Sequence, residues 1–256
     1  MRYGVCAGIG TCEAVAKAGY DYIELGVASD LIPNASESEW NEKRALIDAM
    51  PLRPEAFNSF VREGKIVGEA VDFPALTRYV HSALSRAAQV EGKVIVFGSG
   101  GARSIPQDFP LEKAAQQMTD FLNLCAEASE KTGVVVVIEP LCRQECNYIN
   151  LVSEGAEWVR KIGRPGVQNL ADTFHMEQEN EPLTAIVESA DVLAHVHVAD
   201  TGRVAPGKGS FDYTALFTIL SSANYDGRIS IECNWEGDLE AQLLPSLQHL
   251  KSTMKA

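Results

Sequence analysis

The chain alternates between short runs rich in β-branched and aromatic residues and longer stretches whose apolar positions recur every three or four residues. The short runs are RYGVCA, YIEL, RPEAFN, KVIVFG, VVVVIE, VQNLAD, VLAHVHVA and RISIE. Their length and composition predict eight β-strands. Between them, segments such as FPALTRYVHSALSRAAQV and LEKAAQQMTDFLNLCAEASEK carry the spacing of amphipathic helices. Strand followed by helix, repeated, predicts parallel pairing with right-handed crossovers. Eight such units favour closure into a barrel, which leaves no open sheet edge, over an open doubly wound sheet. The open sheet also lacks its usual fingerprint: CAGIGTCEAV after the first run keeps Gly8 and Gly10 but has Glu13 where a third glycine belongs. The chain has 256 residues and no low-complexity tract, short repeat or linker rich in Pro, Gly and Ser. The expectation is therefore one α/β domain, a single (β/α)8 TIM barrel over residues 1–256.

Barrel enzymes place their reactive groups where strands end and the following loops begin. Here VVVVIE ends in Glu139, VQNLAD in Asp172 and RISIE in Glu232, while VLAHVHVAD carries His197 near its end. These are the fifth to eighth runs, so closure would gather the four side chains on one arc of the mouth. Alternation supports this, because residues two apart on a strand share a face. On the seventh run Val192, Ala194, Val196 and Val198 take the helix-facing side, so His195 and His197 point inward; on the eighth Ile229 and Ile231 do so, which turns Ser230 and Glu232 inward. Three carboxylates and an imidazole converging on one point would repel one another, and a divalent cation would remove that cost. The donor set suits Mn, Mg or Co better than structural zinc, with zinc admissible.

Each residue also has a plainer reading. A strand-end carboxylate such as Glu139 or Asp172 often caps the next helix. His195, deeper in the lumen, is better read as a hydrogen-bonded core histidine than as a ligand. Glu24 on the second run and Asn58 on the third could reach a substrate, but neither has a partner in the sequence that singles it out.

Charge and cysteine content narrow the partners. With 22 Lys plus Arg against 35 Asp plus Glu, the formal net charge is -13, so the surface field repels nucleic acid and anionic membrane. No uninterrupted apolar stretch reaches the length of a membrane span, and MRYGVCAGIG lacks the plan of a signal peptide. Six cysteines without a CxxC pair fit reduced thiols and a cytoplasmic location better than a disulfide framework or a cysteine zinc site. Homo-oligomerisation is compatible with such a barrel, but no interface patch stands out.

These residues resemble the xylose isomerase-like barrel superfamily of sugar isomerases and epimerases, and in detail its ketose 3-epimerase and hydroxypyruvate isomerase branch. EPLCRQE is similar to the fifth-strand motif, which implies Glu139 as a metal ligand and Glu145 as a substrate contact. ADTFHM resembles the sixth-strand motif and implies Asp172 as ligand and His175 as substrate contact. HVHVADTGRVAPGKG resembles the seventh-strand motif, with His197 as ligand and Arg203 as substrate contact, and Glu232 falls where the last ligand ends strand eight. Cys142, and Thr201 with Gly202 before Arg203, depart from the branch at positions where Asn is common, which bears on the sugar more than on the metal.

The resemblance implies a metal-dependent isomerase or epimerase acting on a sugar or sugar phosphate. Removing a proton next to a carbonyl requires the developing enediolate to be stabilised, which a cation on the adjacent oxygens can do. Glu139 and Glu232 flanking the carbon would give epimerisation, and one glutamate serving both steps would give aldose-ketose isomerisation. Arg203 could also meet a phosphate or carboxylate, or form only a surface ion pair. The competing expectations are an apurinic endonuclease, which the acidic balance disfavours, and a non-catalytic sugar-binding barrel.

Overall fold

The structure is a computed structural model that describes residues 1–254. Its strands are β1 (Arg2–Val5), β2 (Ile23–Gly26), β3 (Pro54–Asn58), β4 (Val94–Phe97), β5 (Val135–Ile138), β6 (Val167–Asp172), β7 (Leu193–Val198) and β8 (Arg228–Ile231). All pair in parallel in one sheet of order β1-β8-β7-β6-β5-β4-β3-β2. The ring closes between β1 and β2 through a parallel bridge of Cys6 with Glu24, where Ala7 N donates to Glu24 O at 3.1 Å. This is the predicted TIM barrel, and each predicted run supplies one strand.

The helices are α1 (Cys12–Ala18), α2 (Glu37–Asp48), α3 (Phe73–Gln89), α4 (Gly100–Arg103), α5 (Leu111–Thr132), α6 (Val152–Ile162), α7 (Thr173–Gln178), α8 (Thr184–Glu188), α9 (Tyr213–Ser222) and α10 (Leu239–Thr253). Their ends follow local chemistry. Ser36 and Glu39 form a reciprocal capping box on α2, and Asp72, Asp212 and Asp238 accept backbone N–H bonds at the starts of α3, α9 and α10. Left-handed glycines, Gly19, Gly133 and Gly163, stop α1, α5 and α6.

The apolar side chains divide by strand parity. Ile95, Phe97, Val136, Ile138 and Val196 pack outward against the helices, whereas Val94, Val96, Val137 and Leu170 fill the lumen with Tyr22 and Ala56. Tyr22 crosses the lumen so closely to β1 that a Cβ on Gly4 would lie 2.2 Å from its ring.

One parity expectation fails. His195 and His197 do point inward, but β6 and β7 shift register between Asn169 and Leu170, whose partners are Leu193 and His195. The bulge leaves Ala194 without a partner and turns it to the inner cluster, while Leu193 packs against the outer one. Ala194 therefore does not face the helices as strict alternation requires.

Candidate metal and sugar site

Glu139 and Glu232 lie one residue past β5 and β8, but they continue the ladder: Glu139 N donates to Phe97 O at 3.1 Å and Glu232 N to Val198 O at 3.0 Å. Asp172 ends β6 and His197 lies on β7. The fold brings one donor atom of each of these four residues within 4.8 Å of the others. The imidazole is the centre of the group. Its Nδ1 lies 3.2 Å from Glu139 Oε1, 3.3 Å from Glu232 Oε2 and 3.9 Å from Asp172 Oδ2.

Asp172 divides its two oxygens. Oδ1 caps α7 by accepting from Phe174 N at 2.7 Å and His175 N at 3.4 Å. The capping reading of this residue is thus correct for one oxygen only, because Oδ2 is buried and has no hydrogen-bond partner. A bare buried carboxylate oxygen is costly unless a cation or proton meets it. Burial pushes the Asp172 carboxyl up to about 6, with Glu232 and Glu139 adding to the rise against His175 and His197. Burial also disfavours the ionised form of Glu232, but His197 and Arg203 outweigh it and hold that carboxyl down at about 2. Like charges gathered around an atom with no partner, on oxygen donors and one imidazole, are a donor set that fits a divalent cation.

A cavity of about 350 Å³ opens onto this cluster and is walled by Glu139, Glu232, Glu145, His175, Arg203 and Asn58, among others. Arg203 donates from Nη1 to Glu145 Oε1 at 2.9 Å and from Nη2 to Glu232 Oε2 at 3.1 Å, with its guanidinium 4.6 Å from the centre of the Phe174 ring. It therefore lines the cavity between the two glutamates. His175 accepts from Cys142 N on Nδ1 at 3.1 Å. Its proton must then sit on Nε2, which is buried without a partner.

Glu24 does not line this cavity. It is fully buried beneath the cluster, with Oε1 3.0 Å from His197 Nε2 and Oε2 3.0 Å from His195 Nε2 and 2.5 Å from Ser230 Oγ. Burial opposes its charge, yet the two imidazoles hold its carboxyl well below the usual range. The expectation that Glu24 could touch substrate is corrected: two residues after Tyr22, it shares that ring's lumen-facing side and lies below the mouth. His195 is the hydrogen-bonded core histidine expected.

Three further residues shape the site. Arg103 is fully buried and donates to the carbonyls of Phe97, Glu139, Tyr148 and Ile149, tying the ends of β4 and β5 to the loop that follows. Asp200 accepts from Thr201 N and Phe211 N on Oδ1 and from Gly207 N on Oδ2, folding the loop that presents Arg203. Arg203 itself has φ +61°, a left-handed backbone that such a loop must enforce. Gly98 leaves room for Glu139, since a Cβ there would lie 2.2 Å from Oε2. Gly98 and Arg103 lie in FGSGGARSIP, which carries no motif tied to a substrate, whereas Asp200 stands within the seventh-strand run HVHVAD.

Residues 12–253 match the model of the xylose isomerase-like TIM barrel family. The chain belongs to that family. It is 32% identical over 162 residues to 3-dehydro-D-guloside 4-epimerase of Escherichia coli, an alignment covering 60% of this chain and 62% of that enzyme. It is 28% identical over 233 residues to D-psicose 3-epimerase of Agrobacterium fabrum, covering 86% of this chain and 77% of that enzyme. The crystal structure of the E. coli 3-keto-D-glucoside 4-epimerase YcjR superposes with a TM-score of 0.84 at 26% identity over 98% of this chain and 99% of that one. An AP endonuclease of family 2 from Brucella melitensis shares the fold, with a TM-score of 0.80 at 19% identity over 97% of this chain and 99% of that one. Epimerases are isomerases, and by this kinship the chain is an enzyme of that kind. Among the described residues no helix is long and apolar enough to cross a membrane.

Proposed function

We propose that the protein is a divalent-metal-dependent epimerase of uncharged keto-sugars, with Glu139, Asp172, His197 and Glu232 as ligands of one cation. The observation that carries this reading is the convergence of their donor atoms within 4.8 Å around the unpartnered Asp172 Oδ2. Mn, Mg or Co suits three carboxylates and one imidazole, and zinc is admissible. Such a cation, when bound, would neutralise negative charge developing on substrate oxygens next to it.

The remaining work falls to the protein's own groups. Glu139 and Glu232 are the candidate acid and base, one taking the proton from the carbon beside the carbonyl and the other returning one from the opposite face. His175 has its Nε2–H free to donate to a substrate oxygen. Glu145 and Arg203 line the same cavity and would hold substrate hydroxyls. Epimerisation is favoured over aldose-ketose isomerisation because the relatives are named 3- and 4-epimerases, one of them acting at carbon 4 of a sugar already oxidised at carbon 3.

The substrate is read as uncharged because Arg203 already serves two glutamates. A phosphate there would have to displace a carboxylate from a site rich in carboxylates. The acidic balance of the whole chain likewise argues against nucleic acid as a partner. The six cysteines, all free thiols, support a cytoplasmic location.

The test is incubation of Mn-loaded protein with uncharged ketoses and keto-glycosides in deuterated water, followed by NMR. Deuterium should enter at the carbon beside the carbonyl as the epimer accumulates. Absence of exchange into any such sugar, or exchange only into phosphorylated ones, would overturn the reading.

A further inference from the structure

Both nitrogens of His197 face carboxylate oxygen. On one side of the ring Nδ1 meets Glu139, Asp172 and Glu232; on the other Nε2 meets Glu24 at 3.0 Å, with the Cys6 thiol within 4.8 Å of the Glu24 and His197 donors. A nitrogen can bind a cation only when it carries no proton, so the ring's single proton must sit on the other nitrogen, and whichever group accepts that proton decides which face is bare. We infer that Glu24 is the positioning residue of this imidazole: it accepts the Nε2 proton of His197 and so turns a bare Nδ1 towards the other three ligands. The inference rests on the metal site proposed above.

The geometry around Glu24 is that of an anchor. Its Oε2 is held by His195 Nε2 at 3.0 Å and Ser230 Oγ at 2.5 Å, and Ser230 is in turn 2.8 Å from the Tyr22 hydroxyl. With both oxygens engaged, the carboxylate cannot rotate away from His197. Every member of the set is fully buried, so bulk water cannot substitute for a missing partner. Glu24 comes from β2 while the histidines and Ser230 come from β7 and β8 across the lumen. Barrel closure is therefore what fixes the tilt of the ligand ring. A group acting only as core packing would need neither oxygen aimed at a ring nitrogen.

The test compares the wild type with Glu24→Gln, Glu24→Leu and Ser230→Ala. Dissociation constants for Mn²⁺ are measured by counting free Mn²⁺ with electron paramagnetic resonance. Circular dichroism and melting of each metal-free protein confirm folding. In parallel, long-range ¹H–¹⁵N correlation of the Zn²⁺-loaded proteins reports which nitrogen of His197 carries the proton.

The expected result is Nε2–H in the wild type, and affinity weakened by about 10- to 100-fold in Glu24→Leu. Glu24→Gln, which keeps an acceptor oxygen, should recover part of that loss, and Ser230→Ala should lose several-fold. If Glu24→Leu fails to fold, Glu24→Gln and Ser230→Ala carry the comparison. Wild-type affinity in both of these folded proteins, or a proton found on Nδ1 of the wild type, overturns the inference alone. A wild type that binds no Mn²⁺ overturns the metal site and the inference with it.

Discussion

Asp172 shows His197 only one of its two carboxylate oxygens: Oδ2 lies 3.9 Å from Nδ1 of the ring, while Oδ1 is committed to the first turn of α7. The two duties can be separated. Asp172→Asn keeps an oxygen for the cap and should melt close to the wild type while losing most of its metal affinity. Asp172→Ala should lose the metal and also about 1 kcal/mol of stability with the cap. Equal stability losses in the two variants would show that the cap contributes nothing.

Glu232 meets both His197 and Arg203. Glu232→Gln, assayed at saturating metal, should lower kcat by about 100-fold or more, the usual scale of a lost acid or base, with little change in melting temperature. Near-normal turnover would remove Glu232 from the proton transfer.

Arg203 spans Glu145 and Glu232 with the two ends of one planar group, which a lysine cannot do. Arg203→Lys should lower kcat/KM by about 10- to 100-fold, the worth of a charged hydrogen bond. An unaffected value would reduce the arginine to a screened ion pair.

Exhaustive chelation should abolish activity, and Mn²⁺ or Co²⁺ should restore it. A cation at about 100 times its dissociation constant adds about 2.7 kcal/mol of stability, so melting should rise on the order of 5–10 °C when it is returned to a chain of this size. Full activity in the presence of chelator would refute the metal requirement.

Gly98 touches the chemistry without taking part in it. Gly98→Ala would push a methyl against Glu139 Oε2, and the flexible carboxylate should move rather than the strand. The expected signature is about tenfold weaker metal binding with a nearly unchanged denaturation midpoint. A large stability loss instead would show that the backbone yields first.

The barrel was legible because each β-rich run lies between polar or glycine-containing loops, and Glu139, Asp172, His197 and Glu232 were legible because each sits at a strand end. Strand-end position is a property of one run read alone. The role of Glu24 is not, since it depends on His195, His197 and Ser230, which only closure brings to it. Arg103 was hidden for the same reason: in ARSIP it reads as a surface arginine, and its acceptor carbonyls belong to β4 and to the segment after β5. Ala194 was misplaced because strict alternation has no provision for a bulge.

The donor atoms of the cluster come from β5 to β8, whereas Asn58, Ser59, Val61, Arg62 and the Gly98–Gly101 stretch close the cavity from the other half of the ring. The wall opposite the donors is thus built by segments that supply none of them, while the proposed sugar contacts Glu145, His175 and Arg203 follow β5, β6 and β7. The segments following β3 and β4 could be exchanged among relatives to change that wall, with the donor cluster left in place.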